Sequence, residues 1–119
     1  LSMRKSVLTK LIMIRKTDEF SSVFSFRRRF STEKLVVHYM PNADVAARVG
    51  FVVAKKVAKR AVDRNYMRRV LRELCRQELR PLNGVDVVIQ VKKPFNNTQF
   101  LLIKEELVML FAKIQRKVA

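Results

Sequence analysis

The chain has 119 residues, 49% of them hydrophobic, enough for one compact core, so a single domain over 1–119 is expected. Twenty-six Lys and Arg against ten Asp and Glu leave a formal charge of +16, and self-repulsion of that size opposes folding unless a polyanion is at hand. No run reaches the roughly 18 apolar residues of a membrane span, and the lone Cys75 excludes an internal disulfide or a multi-cysteine zinc site, so nucleic acid in a reducing compartment is the expected partner and setting.

In chain order, "RKSVLTKLIMI" (4–14) has a basic start and an apolar middle, but Lys10 interrupts it and no small-residue cleavage site follows, which argues against a signal peptide. Leu1 and Ser2 stand before a Met3 that would serve as a start, which leaves open whether the two are native, and 1–15 is expected to be flexible or in part an addition to the native chain. Thr17 is placed to cap a short helix with Asp18 and Glu19 in its first turn and Phe20, Val23 and Phe24 along one side. The cluster "RRR" (27–29) then precedes "LVVHY" (35–39), a strand; "PNAD" (41–44) reads as a turn into a hairpin with the next strand. The clearest strands are "RVGFVVA" (48–54) and "VDVVIQV" (85–91), the second bounded by "PLNG" and Pro94. A last helix from Thr98, its expected cap, to about Lys117 puts Phe100, Leu107, Phe111, Ile114 and Val118 on one stripe. Phe51, Phe100 and Phe111 are expected in the core.

Between those strands lies "AVDRNYMRRVLRELCR" (61–76). At about 100° per residue, with Arg64 at zero, Arg64, Asn65, Arg68, Arg69, Arg72 and Arg76 fall between about 0° and 140°. Val62, Tyr66, Met67, Val70, Leu71 and Leu74 fall between about 160° and 340°, while Cys75 and Leu79 drift toward the arginine side. A charged helix face is most often a solvated surface, but such faces mix signs, and here Asp63 is the one nearby acid. Arginines four apart repel, and a phosphate backbone relieves that repulsion through bidentate guanidinium contacts. Asn65 adds a donor and an acceptor for a base edge or a 2′-hydroxyl.

The stretch "RVGFVVAKKVAKRAVDRNYMRRVLRE" (48–73) resembles the signature of the bacterial ribonuclease P protein subunit. A Gly-containing strand ends in Lys55 and Lys56, and a helix follows with "RN" at 64–65, "RR" at 68–69 and "RE" at 72–73. Tyr66 stands where that family usually has a third arginine. "TDEFSSVF", "DVVIQVKK" and the closing helix extend the likeness, which is weakest in the first 15 residues and around 27–34.

The resemblance implies an α/β sandwich (α+β), a four-stranded mixed sheet packed by helices, with a βαβ unit of left-handed crossover, against the usual right-handed preference. It also implies a cytoplasmic accessory subunit of a ribonucleoprotein endoribonuclease, partnered by the catalytic RNA subunit and precursor tRNA, with no membrane and no protein partner required. Leader removal would then use Mg²⁺ held mainly by the RNA and substrate, with no catalytic residue and no metal ligand on the protein. Lys55, Lys56, Lys59, Arg60, Arg64, Asn65, Arg68, Arg69 and Arg72 are the expected contacts to the catalytic RNA. Phe20 and Phe24, joined by Tyr39 from the 35–39 strand, are expected to stack leader bases; without the resemblance, aromatics at helical spacing are more often core. His38, a lone histidine in a strand, is assigned no chemistry. The rival classes are a structural RNA-binding protein of the ribosomal type, which shares charge, size and arginine helix, and a DNA-binding regulator, which the βαβ setting disfavours.

Overall fold

The computed structural model of the chain describes residues 11–79 and 82–118. The strands are β1 (Ile12–Met13), β2 (Arg29–Ser31), β3 (Leu35–Ala46), β4 (Arg48–Val52) and β5 (Asn83–Val91), hydrogen-bonded into one sheet in the order β1-β4-β5-β3-β2. β4 runs parallel to both β1 and β5, whereas β3 runs antiparallel to β5 and β2. The sheet is therefore mixed, but it has five strands and not four. The three strands legible in the sequence are flanked by edges of two and three residues, too short for side-chain alternation to register. Part of 11–15, expected to be flexible, is thus edge strand followed by the buried Ile14, while the expectations for residues 1–10 fall outside the described residues.

The expected hairpin after "PNAD" does not form, because β5 lies between β3 and β4. β3 instead continues to Ala46 through a register shift, with Pro41 opposite Val85 and Ala46 opposite Asn83. β2 ends its pairing at Arg29 and His38, so Pro41 sits where β3 has become an edge and the missing N–H costs little.

Helices α1 (Thr17–Ser25), α2 (Ala61–Glu78) and α3 (Phe100–Val118) divide between the sheet faces, with a 3₁₀ turn at Asn97–Gln99 leading into α3. Odd-numbered residues of β3, β4 and β5, among them Leu35, Val37, Val49, Val87 and Ile89, join one core with Met67, Leu71 and Leu74 of α2 and Ile103, Leu107 and Ile114 of α3. Each such buried aliphatic side chain contributes about 1.5–3 kcal/mol. Cys75 and Leu79 belong to this core and not to the arginine side, because α3 packs against α2 and widens its buried stripe. Complete burial also pushes the Cys75 thiol far above its ordinary value, which makes it inert. Val62, placed by periodicity on the apolar side, is 61% exposed in the first turn of α2. Phe111 is buried as expected, but Phe51 and Val118 are half-buried and Phe100 is exposed, since α3 has only just begun at Phe100.

Both expected helix caps shift by a residue or two. Thr98 is not the cap: Asn96 is, its Oδ1 accepting from Thr98 N at 3.0 Å. Thr17 is already helical, and Lys16 takes the capping position, with Glu19 Oε1 accepting from the backbone N–H of Lys16 at 3.2 Å and of Arg15 at 3.3 Å.

Candidate nucleic-acid interface

The first surface is the outer side of α2 with the loop before it. Lys55 and Lys56 sit in a turn after β4, where Val57 and Ala58 donate to Ala54 O. Arg64 holds this loop against the helix, its Nη1 donating to Ala58 O at 2.9 Å and Lys59 O at 2.8 Å. Arg60, at the N-cap of α2, is bound to Asp63 through Nε at 2.9 Å and Nη2 at 3.0 Å. That hydrogen-bonded pairing lowers the Asp63 pKa and raises that of Arg60. Arg68 donates to Asn65 Oδ1 at 2.9 Å, which fixes the amide's orientation.

Among the described residues no carboxylate pairs with Lys55, Lys56, Lys59, Arg64, Arg68, Arg69 or Arg72. From Arg64 to Arg72 these cations span about 12 Å of helix, the length of several phosphate steps. Asn65, Arg69 and Arg72 are exposed, and Arg64 and Arg68 half-buried. Tyr66 instead packs against the core and lines a cavity with Val57, Met67 and Phe95, so it does not share the arginine face.

The second surface is the opposite sheet face. A helix of nine residues spans about 13 Å, whereas five strands spaced about 4.8 Å apart span about 19 Å, so α1 leaves part of this face uncovered. The even-numbered residues here are mixed: Arg48 and Gly50 on β4, Asp86, Val88 and Gln90 on β5, His38 and Met40 on β3. A small second core of Ile14, Val23 and Val88 takes Phe20 and Phe24 as half-buried flanks. Phe20 is seated over Gly50 so closely that a Cβ there would lie 2.5 Å from its Cε1. Phe24 meets His38 edge-on, ring centroids 4.5 Å apart, and His38 is hydrogen-bonded through Nε2 to Gln90 Oε1 at 3.0 Å.

Tyr39 does not join this group. Strand alternation sends it to the other face, where it is 4% exposed and stacks on Phe30 with centroids 5.7 Å apart. The side chain that meets Phe24 from β3 is therefore His38, one residue earlier. Alternation alone would have separated Tyr39 from His38, but the apolar residues on both faces of "LVVHY" gave no sign of which one faced α1.

An ion network docks α1 on this face. Arg48 donates to the buried Asp86 through Nε at 2.9 Å and Nη2 at 2.6 Å, and through Nη1 to Glu19 Oε2 at 2.9 Å. Asn42 Nδ2 adds a 2.6 Å bond to Asp86. The Arg48 hydrogen bond, aided by the backbone N–H groups of Lys16 and Arg15, holds the Glu19 carboxyl at about 2. Asp86 and then Glu19 hold the Arg48 guanidinium well above its ordinary range. No group of three or more His, Cys, Asp or Glu among the described residues is placed to hold a metal ion.

Comparison with known proteins places this architecture. The family model described as Ribonuclease P matches residues 8–115. The ribonuclease P protein component of Chromobacterium violaceum is 50% identical over 101 residues, covering 85% of this chain and 84% of that protein. The same component of an Azoarcus species is 41% identical over 101 residues, with 85% and 84% covered. The solved structure of the Staphylococcus aureus RNase P protein superposes with a TM-score of 0.77 at 23% identity, covering 88% of this chain and 96% of that one. For the protein from Thermotoga maritima the TM-score is 0.73 at 24% identity, with 85% and 96% covered. The match across nearly the whole length, in sequence and in fold, means that the chain belongs to the ribonuclease P protein family.

Proposed function

We propose that this chain, as the protein component of ribonuclease P in tRNA 5′ processing, grips two RNAs on opposite sides of its sheet. The arginine face of α2, with Asn65 and the Lys55, Lys56, Lys59 and Arg60 loop, binds the catalytic RNA subunit. The cleft beside α1, walled by Phe20, Phe24 and His38, takes the single-stranded 5′ leader of precursor tRNA. Tyr39 contributes from behind, through the core, and not as a stacking platform.

The observation that carries this reading is the set of seven α2 and loop cations without a carboxylate partner among the described residues. Kept together without compensation, they cost stability that a polyanion restores. The aromatic walls support the second half, because every base has a face that stacks and such a cleft tolerates many leader sequences. In this reading the Mg²⁺ used in leader removal is held mainly by the catalytic RNA and the substrate. The particle then works in the cytoplasm without a further protein partner, and the β4–α2–β5 crossover takes the left-handed course that the family resemblance implies.

Cleavage of precursor tRNA by a bacterial ribonuclease P RNA at low Mg²⁺, with and without the protein, tests the proposal. Stimulation should be greater on a long leader than on a substrate with none, and Phe20→Ala should remove that difference while sparing the leaderless substrate. Tight RNA binding without stimulation would instead leave a structural RNA-binding protein.

A further inference from the structure

The "RRR" cluster at 27–29 belongs to neither surface as described so far. Its three side chains divide between the two faces of the sheet. Arg29 lies directly opposite His38 in the antiparallel β2–β3 register, which puts both on the α1 face, whereas Arg28 lines a cavity with Tyr39 on the other. Arg27 precedes the strand, in the turn after α1, and reaches the α1 face as part of the cavity wall beside Phe24 and His38. Together with Phe24, Ser25 and His38, the two arginines line an open cavity of about 480 Å³, within the range of small-ligand sites.

Arg27 holds this place against its backbone preference. It follows the C-cap of α1 with φ at +62°, the left-handed conformation that ends many helices and that glycine adopts freely. An arginine there carries strain that its helix-ending role does not require, although its charge does suit the C-terminal end of the helix dipole. Neither Arg27 nor Arg29 makes a salt bridge among the described residues, and both are exposed. Two unpaired guanidiniums, an imidazole and an aromatic wall converge on one concavity, which is the donor set for a phosphodiester with a base laid on the ring.

We propose that Arg27, Arg29, His38 and Phe24 form a one-nucleotide subsite at the C-terminal end of α1 that grips a backbone phosphate of the single-stranded leader. The subsite rests on the reading of the α1 cleft as the leader site and extends it beyond Phe20. An RNA phosphate is the shared chemistry of leader and catalytic RNA, and the subsite is assigned to the leader because it shares Phe24 with the cleft and lies on the sheet face opposite α2.

The test uses the full chain assembled with a bacterial ribonuclease P RNA, and measures affinity for precursor tRNA with a long leader and with none, across a salt series. Arg27→Gly removes the side chain and the backbone strain together, so this variant should melt no lower than the parent and cannot fail merely by unfolding. Arg27→Gly and Arg29→Ala should each weaken long-leader binding about three- to tenfold and reduce its logarithmic salt slope by about 0.7, the value for one single-strand phosphate. The leaderless substrate and assembly with the catalytic RNA should be unchanged. Parental affinity and slope on the long leader in both variants would overturn the subsite, and so would an equal loss on the leaderless substrate, which would assign the phosphate to the catalytic RNA. Phe24→Ala separates the two levels: leader dependence lost there but intact in the arginine variants removes the subsite alone, and leader dependence intact in all three removes the cleft reading with it.

Discussion

Gly50→Ala isolates the seat of Phe20. Gly50 does not use a left-handed backbone, so alanine fits its conformation and would, with nothing above it, stabilise the chain by about 0.4–1 kcal/mol through the unfolded state. The new Cβ would instead meet Phe20 Cε1 at 2.5 Å and Cζ at 2.6 Å, with Ile14 Cβ at 3.4 Å. Carbon atoms rest about 3.5–4.0 Å apart, so the ring must withdraw by about 1 Å or more. It is half-buried at the end of two torsions and can swing outward, losing about half of the roughly 1.5–3 kcal/mol that a fully buried Phe contributes. Overpacking of this kind costs about 1–3 kcal/mol, and set against the entropic gain it leaves a net loss of about 1–2 kcal/mol. Thermal melting followed by circular dichroism should show Tm lower by about 4–8 °C. Because the displaced ring is a wall of the proposed leader cleft, affinity for long-leader precursor tRNA should fall about fivefold or more, the cost of one lost stacking contact. Assembly with the catalytic RNA, proposed for the other side of the sheet, should be untouched. A raised Tm with unchanged leader affinity would refute both the tight seat of Phe20 on β4 and its place in the cleft.

Arg64 and Arg68 should behave differently although both lie on the arginine face. Arg64→Ala deprives Ala58 and Lys59 of their guanidinium donor and should cost about 1 kcal/mol in urea unfolding besides weakening RNA binding, whereas Arg68→Ala should leave stability within about 0.5 kcal/mol. Each should reduce the salt slope of catalytic-RNA binding by about 0.9, measured by filter binding across a salt series. Glu19 sets an acid limit on α1: its carboxyl is held at about 2 against an ordinary 4.5, a depressed value, so its contribution is fully present above about 4.5 and disappears as pH falls toward 2. Melting curves of the parent and Glu19→Gln should therefore differ at neutral pH and converge through that window; a gap that persists at about pH 2 would refute the Arg48 pairing as its cause.

Much of the arginine helix was legible because a helix exposed on one side repeats its chemistry every three to four residues. Ala61–Glu78 forms over nearly the predicted span, and Met67, Val70, Leu71 and Leu74 of the predicted apolar side are buried, while Tyr66 is half-buried and Val62 exposed. Periodicity sees one helix at a time, however, and so it missed the second contact that buries Cys75 and Leu79 against the α3 side of the core. It was equally blind to the two edge strands and to the course of 41–46, where turn-forming residues occur inside a bulged strand. Pro41, Asn42 and Asp44 read locally as a turn, but the pairing of Pro41 with Val85 and of Ala46 with Asn83 is decided by residues some forty positions away. The same distance hid the docking of α1, since nothing near Arg48 announces that it will bridge Asp86 and Glu19.

The sheet itself explains why the two proposed RNA surfaces were unequally readable. The face toward α2 and α3 is apolar in every central strand, so the sequence needs only alternation to declare it, and the cations of α2 are forced outward as a consequence. The face toward α1 carries Arg48, Asp86, His38 and Gln90 among its apolar residues, each satisfied by a partner from another element. Such a face cannot be told from a solvated one by composition, because its polar groups are buried in pairs and not singly. The choice between His38 and Tyr39 therefore turned on one residue of register. Placing Tyr39 against Phe30 and His38 against Phe24 gives the cleft a polar ring near Arg27 and Arg29, which have no carboxylate partner among the described residues, and this makes it suited to a charged strand of RNA and not only to a stacked base.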